Sequence, residues 1–579
     1  MTDQPVASLA QPICEAINLV LPASVGRDPG RAARQRLGAA LRATFDVRIT
    51  GWHVRRVPGK DRLEYDIMPP AEGALSVDDA WNLSYALAEL PDVVSAEPAF
   101  RVTQDAAPVV APTATPTGPI PTPAAAPKFE NCADDQAPVS LNPNQIDWSP
   151  RLVDAPCAWQ LAPPPPAPGF AAGQRRGQNI RVGHPDSGYR RHPDLFGELP
   201  GQPVRVLTNL ERDFVDNYKV AENPAGGHGL NTAGVLMSSD LTGFIVGVAP
   251  AAQIVPLRVT KPRLGIPAPV LFESGIRALR DAIRYAVDEA GCQVISISLG
   301  WFGNGSLHNA VREAEAKNVI VCAASGNYVP IVVWPAAYAE VIAVAGCDAQ
   351  RRPWPGASTG PQVDVSGPAA HVWVAGFSAH QLPSAAQSDG TSFATATVAG
   401  IAALWLAYHG RDYLLHRYHG EFTLTNVFRY ILGVSSDSFA VAANGYGVGI
   451  VNARRVLTTP LPAITDLQAA APLFAAAPSL HSPVDTIAAV FPQVPRDVLR
   501  MRLARLLQIP EAELDTRLVG VEDEVLFQVA TNPAVRDQLS APAPSAEAYG
   551  IAPASTPAPG GAATLAPATM SNRLRKRVG

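Results

Sequence analysis

The chain has 579 residues, of which 47% are hydrophobic and 17% are charged, and its net charge is −5 at pH 7. A chain of this length is expected to form more than one domain. A charge balance so near neutrality argues against nucleic acid or an anionic membrane as the partner. The 57 prolines exceed the usual share of ~5% and mark linkers.

The N-terminal segment and the cysteines favour a cytoplasmic protein. Residues 1–10 lack a basic region, and polar residues interrupt the apolar stretch 13–21, so we expect no signal peptide. The sequence contains no run of ~18 apolar residues, so we expect no membrane span. The six cysteines show no metal-binding spacing, and we interpret them as reduced packing residues. Pairing of Cys132 with Cys157 in an oxidising compartment, and export by another route, are left open.

Residues 1–103 predict a small α+β domain. The capping sequence Ser76-Val77-Asp78-Asp79 is typical of a helix start. Hydrophobic periodicity separates strands from helices in the rest of the domain. In chain order we expect a strand at 16–21, a helix at 32–45, a hairpin from 47–57 and 63–68, a helix from 76 to 90 and a strand at 92–102.

Residues 104–140 are rich in proline, alanine and threonine, which predicts an extended tether that cannot build a core. Such a tether would expose a cleavable junction. A second proline run, at 163–168, is predicted to form a surface loop.

Residues 141–460 alternate predicted strands with predicted helices. Residues 274–290 carry apolar side chains at helical spacing and lead into an apolar strand at 294–298. This alternation predicts an α/β domain, with a parallel sheet and helices on both faces. Residues 461–540 predict a helical C-terminal region that caps the fold or binds an unknown partner, and residues 541–579 predict a disordered tail.

The segment Gly390-Thr391-Ser392 precedes a run of small apolar residues and predicts a buried helix with Ser392 in its first turn. A helix N-terminus has unpaired N–H groups and a positive dipole end. A hydroxyl placed there can attack a carbonyl and leave the developing oxyanion near backbone donors. Alone, the serine would more simply be an N-cap.

A serine nucleophile needs a base, usually a histidine oriented by a carboxylate. His228 follows two glycines and starts an apolar helical run. Asp186 ends the predicted strand 180–186, which is where α/β sheets place functional groups. Each residue alone has a plain alternative in a turn or a loop, but all three in this order form a specific pattern.

The order Asp186, His228, Ser392, with these flanks, resembles the subtilisin-like serine proteases, or subtilases. The resemblance covers about residues 145–458 and implies that Asp186 orients the imidazole, His228 is general base and acid, and Ser392 is the nucleophile. Asn327, at the end of an apolar strand, resembles the family's oxyanion donor. The residues after His228 and Ser392 depart from the family pattern, with Phe393 in place of its usual methionine.

The resemblance also implies how a substrate would bind. An extended peptide is expected to pair with Ser298, Leu299 and Gly300, on a segment that resembles the family's edge strand. The segment Ala323, Ala324 and Ser325 would line one wall of the pocket, and Val333 would narrow it in favour of small or medium apolar side chains.

The family resemblance extends to the termini and to cofactors. Residues 90–98 resemble the end of a subtilase propeptide, which implies a ferredoxin-like intramolecular inhibitor in residues 1–103. An unrelated small α+β domain is the alternative. The family often binds calcium, but the sequence has no aspartate-rich ligand loop, so we expect no required cofactor and predict no metal ligands.

The expected function is that of an autoprocessed serine endopeptidase acting on proteins or peptides. The expected architecture is a subtilisin-like parallel sheet with a small α+β domain before it and a helical appendage after it. Two alternatives remain: a catalytically inactive peptide-binding scaffold, and a peptide ligase or macrocyclase on the same fold.

Overall fold

The computed structural model describes most of the chain, in two compact units. The central unit holds Pro12 and the described residues from 100 to 475, and the terminal unit holds those from 13 to 99 together with those from 484 onward. The described residues are 12–22, 28–45, 51–57, 63–70, 75–102, 132, 140–196, 205–216, 220–223, 227–239, 245–260, 276–300, 303–328, 331–378, 380–475, 484, 487–488, 491, 494–518 and 521–540.

The N-terminal part of the terminal unit has the predicted ferredoxin-like arrangement. Its four strands form one sheet in the order β2-β3-β1-β4, in which β3 runs antiparallel to both β1 and β2. The elements are β1 (Pro12–Leu21), α1 (Pro29–Phe45), β2 (His53–Arg56), β3 (Leu63–Met68), α2 (Val77–Ala88) and β4 (Ser95–Val102).

Local chemistry sets the ends of these elements. The predicted cap is confirmed, since Ser76 Oγ accepts a hydrogen bond from the Asp79 N–H at 3.0 Å. The last strand begins three residues later than predicted, after Asp92 adopts a left-handed φ of 58°. Residues 47–50 of the predicted hairpin lie outside the described residues.

The central unit alternates strands and helices as predicted. Its elements are α3 (Trp148–Leu152), α4 (Ala155–Ala158), β5 (Arg181–Asp186), α5 (Pro193–Phe196), a 3₁₀ turn (Thr208–Leu210), β6 (Arg212–Asp213), α6 (His228–Met237), β7 (Gln253–Arg258), α7 (Ile276–Asp288), β8 (Val294–Ile297), α8 (Gly305–Ala316), β9 (Ile320–Ala324), β10 (Ile342–Cys347), β11 (Val365–Pro368), β12 (Val372–Phe377), β13 (Pro383–Ser388), α9 (Thr391–His409), α10 (Arg411–Tyr418), α11 (Leu424–Ser435), α12 (Ala453–Thr458) and α13 (Ile464–Ala475).

Seven of these strands form one parallel sheet, in the order β11-β10-β9-β8-β5-β7-β6, and β12 and β13 pair as an antiparallel ribbon. Adjacent residues of β5 show that helices cover both faces. A Cβ on Gly183 would lie 3.0 Å from Ala286 of α7, whereas the next residue, His184, hydrogen-bonds Thr232 of α6. Because successive strand residues point to opposite faces, α6 and α7 lie on opposite sides of the sheet, and the predicted α/β class is confirmed.

Helix α9 is the core helix of the central unit. By length and composition alone it could cross a membrane, but 94% of its apolar window is buried inside the protein. Every residue from Thr391 to Ala407 is buried. The helix lies against β8, β9, β10 and β11, so its small side chains serve close packing on the sheet.

The predicted C-terminal helices divide between the two units. Helix α13 belongs to the central unit, whereas the later helices belong to the terminal unit with the N-terminal sheet. There the ring of Phe527 lies edge-on to Trp81, with centroids 6.4 Å apart. These helices are α14 (Arg496–Leu507), a 3₁₀ turn (Glu511–Glu513), α15 (Leu514–Leu518), α16 (Glu522–Thr531) and α17 (Pro533–Ser540). The predicted tail, and the predicted linker apart from Cys132 and residue 140, lie outside the described residues.

One interpretation of the cysteines is wrong. Cys132 and Cys157 form a disulfide with their Cα atoms 5.3 Å apart, a separation that suits this bond. This is the pairing that the sequence left open, since cysteine spacing alone does not decide between a disulfide and two reduced thiols. The other four cysteines are buried free thiols, in agreement with a packing role.

We predict that reduction of this disulfide destabilises the central unit by about 3 kcal/mol, because the cross-link restricts the unfolded chain. The measurement is thermal unfolding of the wild type and of Cys157→Ser, each with and without dithiothreitol. The wild type should respond to reductant and the variant should not. An equal loss of stability with dithiothreitol in both proteins would mean that the effect does not come from the Cys132–Cys157 disulfide.

Candidate active site

Three polar side chains from separate elements meet at the carboxyl edge of the sheet. Asp186 is the last residue of β5, His228 the first of α6, and Ser392 the second of α9. The His228 Nδ1–H donates to both oxygens of the Asp186 carboxylate at 2.9 Å. The Ser392 hydroxyl donates to His228 Nε2 at 2.9 Å. The sequence-predicted residues are therefore joined in one hydrogen-bonded chain.

The glycine after His228 permits this approach. A Cβ on Gly229 would collide with the Gly188 carbonyl oxygen and lie 3.2 Å from Asp186 Oδ1. The Gly229 N–H donates to the Ser187 hydroxyl at 2.9 Å. The first turn of α6 can thus rest directly on the loop that follows Asp186, which holds the imidazole against the carboxylate.

Burial and charge have opposite effects on the pKa values of Asp186 and His228. The Asp186 side chain is 1% exposed, and burial disfavours its charge, but the His228 charge, the hydrogen bond from His228 and the Ser187 N–H outweigh burial and lower the Asp186 pKa. Burial likewise acts to lower the pKa of His228, but the Asp186 charge and hydrogen bond prevail and raise it. Contact with Asp186 thus makes the His228 imidazole a stronger base than it would be alone.

Asn327, three residues beyond the end of β9, is held in one orientation. The Thr391 N–H and hydroxyl donate to its Oδ1 at 3.0 and 2.8 Å. Its Nδ2 therefore points away from Thr391 N, and a Cβ on Gly390 would lie 3.3 Å from it. The Ser392 N–H belongs to the first turn of α9, whose N–H groups have no acceptor within the helix. Two donors, Asn327 Nδ2 and Ser392 N–H, are available beside the serine.

The segment predicted to pair with substrate adjoins the serine. Ser298 Oγ donates to the Ser392 carbonyl at 2.9 Å, and Ser392 Oγ also lies 3.2 Å from the Ser298 carbonyl. The comparison with an edge strand needs correction, because β8 pairs with both β5 and β9 and is central in the sheet. The segment Ser298–Gly300 follows β8, so an extended peptide could pair only beyond the strand's end.

The predicted pocket wall lies one strand away. Ala323, Ala324 and Ser325 are all buried, and the Ser325 hydroxyl has no hydrogen-bond partner among the described residues. The Val333 N–H donates to the Ser325 carbonyl at 2.9 Å, and a Cβ on Gly300 would lie 2.6 Å from Val333 Cγ2. Val333 therefore links the two segments predicted to bind substrate.

Sequence reasoning missed two residues next to the carboxylate. His184 lies 2.9 Å from the Thr232 hydroxyl through its Nε2. That hydroxyl lies 3.3 Å from Asp186 Oδ2. Residue spacing could have indicated both residues. His184 is two residues before Asp186 on one strand, and Thr232 is four residues after His228 on one helix, so each pair shares a face. What the pattern did not reveal is that the two faces oppose each other.

Comparison with known proteins identifies the family. A model of the subtilase family (Peptidase_S8) matches residues 177–424. Thermitase from Thermoactinomyces vulgaris is 34% identical over 273 residues, which cover 46% of this chain and 83% of thermitase. The chain belongs to the subtilase family. Subtilisin DY from Bacillus licheniformis is 30% identical over 242 residues, which cover 40% of this subtilase and 78% of subtilisin DY. A solved structure of MycP1 with its N-terminal propeptide removed aligns at 21% identity and a TM-score of 0.40, over 54% of this chain and 98% of MycP1.

Metal binding by this subtilase stays a matter of prediction. Within the described ranges, no three His, Cys, Asp or Glu side chains come together in a group that could hold a metal ion. Calcium is also bound by backbone carbonyl and amide oxygens, so the expectation that no cofactor is required remains a prediction.

We predict that the reactivity of Ser392 rises with pH through the titration of His228, because only the neutral imidazole can accept the serine proton. Since Asp186 raises the pKa of His228, the midpoint should lie above the ordinary value of ~6.5. The measurement is the rate of labelling by a fluorophosphonate across this pH range. A rate that is flat with pH, or a midpoint below ~6.5, would contradict the assignment of His228 as base.

Proposed function

We propose that this subtilase is a serine endopeptidase that hydrolyses peptide bonds through an acyl-enzyme intermediate. The observation that carries the proposal is the continuous hydrogen-bonded chain from Asp186 through His228 to Ser392, with 2.9 Å at each junction. Membership of a peptidase family and the serine proteases among its relatives support the same class of reaction.

In the proposed reaction, Ser392 Oγ attacks the scissile carbonyl carbon while His228 Nε2 takes the serine proton. Asp186 stabilises the imidazolium that forms. Asn327 Nδ2 and the Ser392 N–H would donate to the oxyanion, which is where such donors act most strongly. His228 then gives its proton to the leaving amine, and water, activated by the same imidazole, releases the acyl group and regenerates Ser392.

The substrate is proposed to be a protein or peptide bound in extended form. Main-chain groups of Ser298–Gly300 would pair with it, and alternate side chains would give specificity. The buried apolar surroundings of Val333 and Ala324 support a preference for small or medium apolar side chains before the scissile bond.

The N-terminal domain is proposed to be an intramolecular inhibitor. Its ferredoxin-like strand order and the proline-rich sequence after Val102 support this role. The terminal unit also contains helices α14–α17, so the inhibitor would be the N-terminal sheet together with these helices. Binding of an unknown partner by the same helices remains a prediction.

The cytoplasmic location expected from sequence also remains a prediction. The Cys132–Cys157 disulfide is the observation against it, because such bonds persist in oxidising compartments and are rare in the cytosol. Two of the six cysteines that supported the expectation therefore no longer do so.

We predict that Ser392→Ala abolishes hydrolysis and fluorophosphonate labelling but keeps the fold, because a buried helix start tolerates alanine at a cost of ~1 kcal/mol. The wild type should also cut itself between Val102 and Asn142, and Ser392→Ala should stay intact. Mass spectrometry of both proteins, with a casein digestion assay, reports the two outcomes. On a non-reducing gel, a cut after Cys132 leaves the N-terminal fragment attached through the disulfide, and a cut before it does not.

Ser296→Ala is the matched control, because Ser296 is a buried serine of β8 whose hydroxyl has no partner among the described residues. It should keep wild-type activity. Hydrolysis by Ser392→Ala at the wild-type rate would overturn the triad. A wild type that is not labelled would favour the inactive scaffold, and joined peptide products in place of free ends would favour the ligase.

Asn327→Ala should lower kcat by about 10²–10³-fold with little change in KM, because the amide acts mainly on the oxyanion of the transition state. Steady-state kinetics on a peptide substrate measure the effect. Asn452→Ala, which removes a buried asparagine that caps α12, is the control and should keep kcat. A change in KM alone would mean that Asn327 shapes the pocket and does not contact the oxyanion.

A further inference from the structure

A second histidine lies close to the triad carboxylate. His184 is 4% exposed, and its Nε2 is 2.9 Å from the Thr232 hydroxyl. Thr232 is fully buried, and its hydroxyl is 3.3 Å from Asp186 Oδ2. The imidazole itself is 4.0 Å from that carboxylate oxygen. A polar side chain so deeply buried needs a hydrogen-bond partner, and the hydroxyl of Thr232 supplies one.

The Thr232 hydroxyl has one proton and several candidate acceptors. Besides Asp186 Oδ2, the carbonyl oxygens of His228 and Gly229 lie 3.1 and 3.3 Å away. A threonine within a helix commonly bonds to the carbonyl four residues before it, and that contact alone would be local. The carboxylate is the stronger acceptor because it carries charge.

His184 decides where the threonine proton goes. If neutral His184 carries its proton on Nε2, the imidazole donates to Thr232 Oγ1 and the hydroxyl proton remains available to Asp186. If Nε2 is unprotonated, the hydroxyl proton is drawn to His184 and Asp186 loses this donor. A donor chain that ends on a charged acceptor strengthens each of its bonds, which favours the first arrangement.

We propose that His184 and Thr232 are positioning residues that hold the Asp186 carboxylate through a relay of two hydrogen bonds, from His184 Nε2–H to Thr232 Oγ1 and from the Thr232 hydroxyl to Asp186 Oδ2. The inference rests on the proposed function only in that Asp186 is the triad carboxylate. No proton is transferred along the relay, which supplies a third donor to a carboxylate that also accepts from His228 and from the Ser187 N–H.

The titratable groups of β5, α6 and β7 bear on the protonation of His184. Burial is the largest effect on the pKa of His184 and lowers it. The Asp186 charge raises this pKa and the His228 charge lowers it, and the net result is a lowered pKa, so the imidazole is neutral at neutral pH. Arg258 of β7 lies beside Asp186 in register but is bound to Asp213 and Asp216 at 2.6 and 3.1 Å. Helix α9 contributes no charged side chain at Ser392, since its first turn has no acidic residue and its basic residue is in its last turn.

Removing the relay should strengthen the effect of Asp186 on His228. A carboxylate with one donor fewer is more basic and favours the protonated imidazole more strongly. The midpoint of His228 titration should therefore rise, by about half to one pH unit, which corresponds to a three- to tenfold loss of reactivity below the midpoint. The loss should appear in kcat, with KM unchanged.

The experiment compares Thr232→Val, which replaces the hydroxyl by a methyl group, with Thr232→Ser, which keeps it. His184→Leu and His184→Gln form the second pair, since a glutamine amide can donate where Nε2 does. The valine and leucine variants should raise the midpoint of fluorophosphonate labelling, and the serine and glutamine variants should restore it. Thr395→Val is the control: it removes a buried hydroxyl that bonds the Thr391 carbonyl at 2.8 Å and should leave the midpoint unchanged.

Histidine side-chain ¹⁵N spectra of the full-length protein provide a readout that does not need activity. They should show His184 neutral with its proton on Nε2, and a higher His228 midpoint in Thr232→Val than in wild type. A proton on Nδ1 of His184, or equal His228 midpoints in wild type and Thr232→Val, overturns the relay. If the wild type shows the expected spectra but is neither labelled nor hydrolytic, the relay stands and the proposed peptidase function fails. If His184→Leu does not fold, the Thr232 pair decides.

Discussion

The charge on Asp186 is the constraint that organises the central unit. The carboxylate is buried at the end of β5, and an isolated charge in such a place would cost far more than the fold can supply. It is tolerated because donors surround it: His228 Nδ1, the Ser187 N–H and the Thr232 hydroxyl. The position of α6 over the edge of the sheet is thus an electrostatic requirement as well as a packing one.

The motifs placed Asp186, His228 and Ser392 at one edge of the sheet because each residue lies at or next to the end of an element. Strand β5 ends at Asp186, and α6 and α9 begin at His228 and Thr391, so parallel order alone brings these ends to one edge. The relay through His184 and Thr232 could not be predicted in the same way. It depends on which face of a strand opposes which face of a helix, and a short apolar segment does not encode that choice. The pairing of β8 on both sides escaped prediction for the same reason, because strand order comes from long-range packing.

In the terminal unit too, local patterns in the sequence predicted individual elements but not the contacts between distant segments. The capping serine and the antiparallel pairing of the hairpin strands follow from turn chemistry and periodicity, and the ferredoxin-like order came from resemblance to a propeptide. Neither reasoning could place Phe527 against Trp81, since about 450 residues separate them and no pattern links the two segments. The Cys132–Cys157 pairing was left open by the sequence, because spacing alone does not decide whether two cysteines pair or stay reduced.

The shared terminal unit changes what a cut in the proline-rich segment would do. In a chain whose inhibitor folds alone, cleavage after Val102 frees a domain that can diffuse away. Here the N-terminal sheet and helices α14–α17 form one compact unit, and the helices stay covalently joined to the central unit through α13. A cut would therefore leave the sheet held by its packing on those helices, at the high effective concentration that a tether imposes. If this unit is the inhibitor proposed above, its release would require that the packing be lost as well as that the peptide bond be cut.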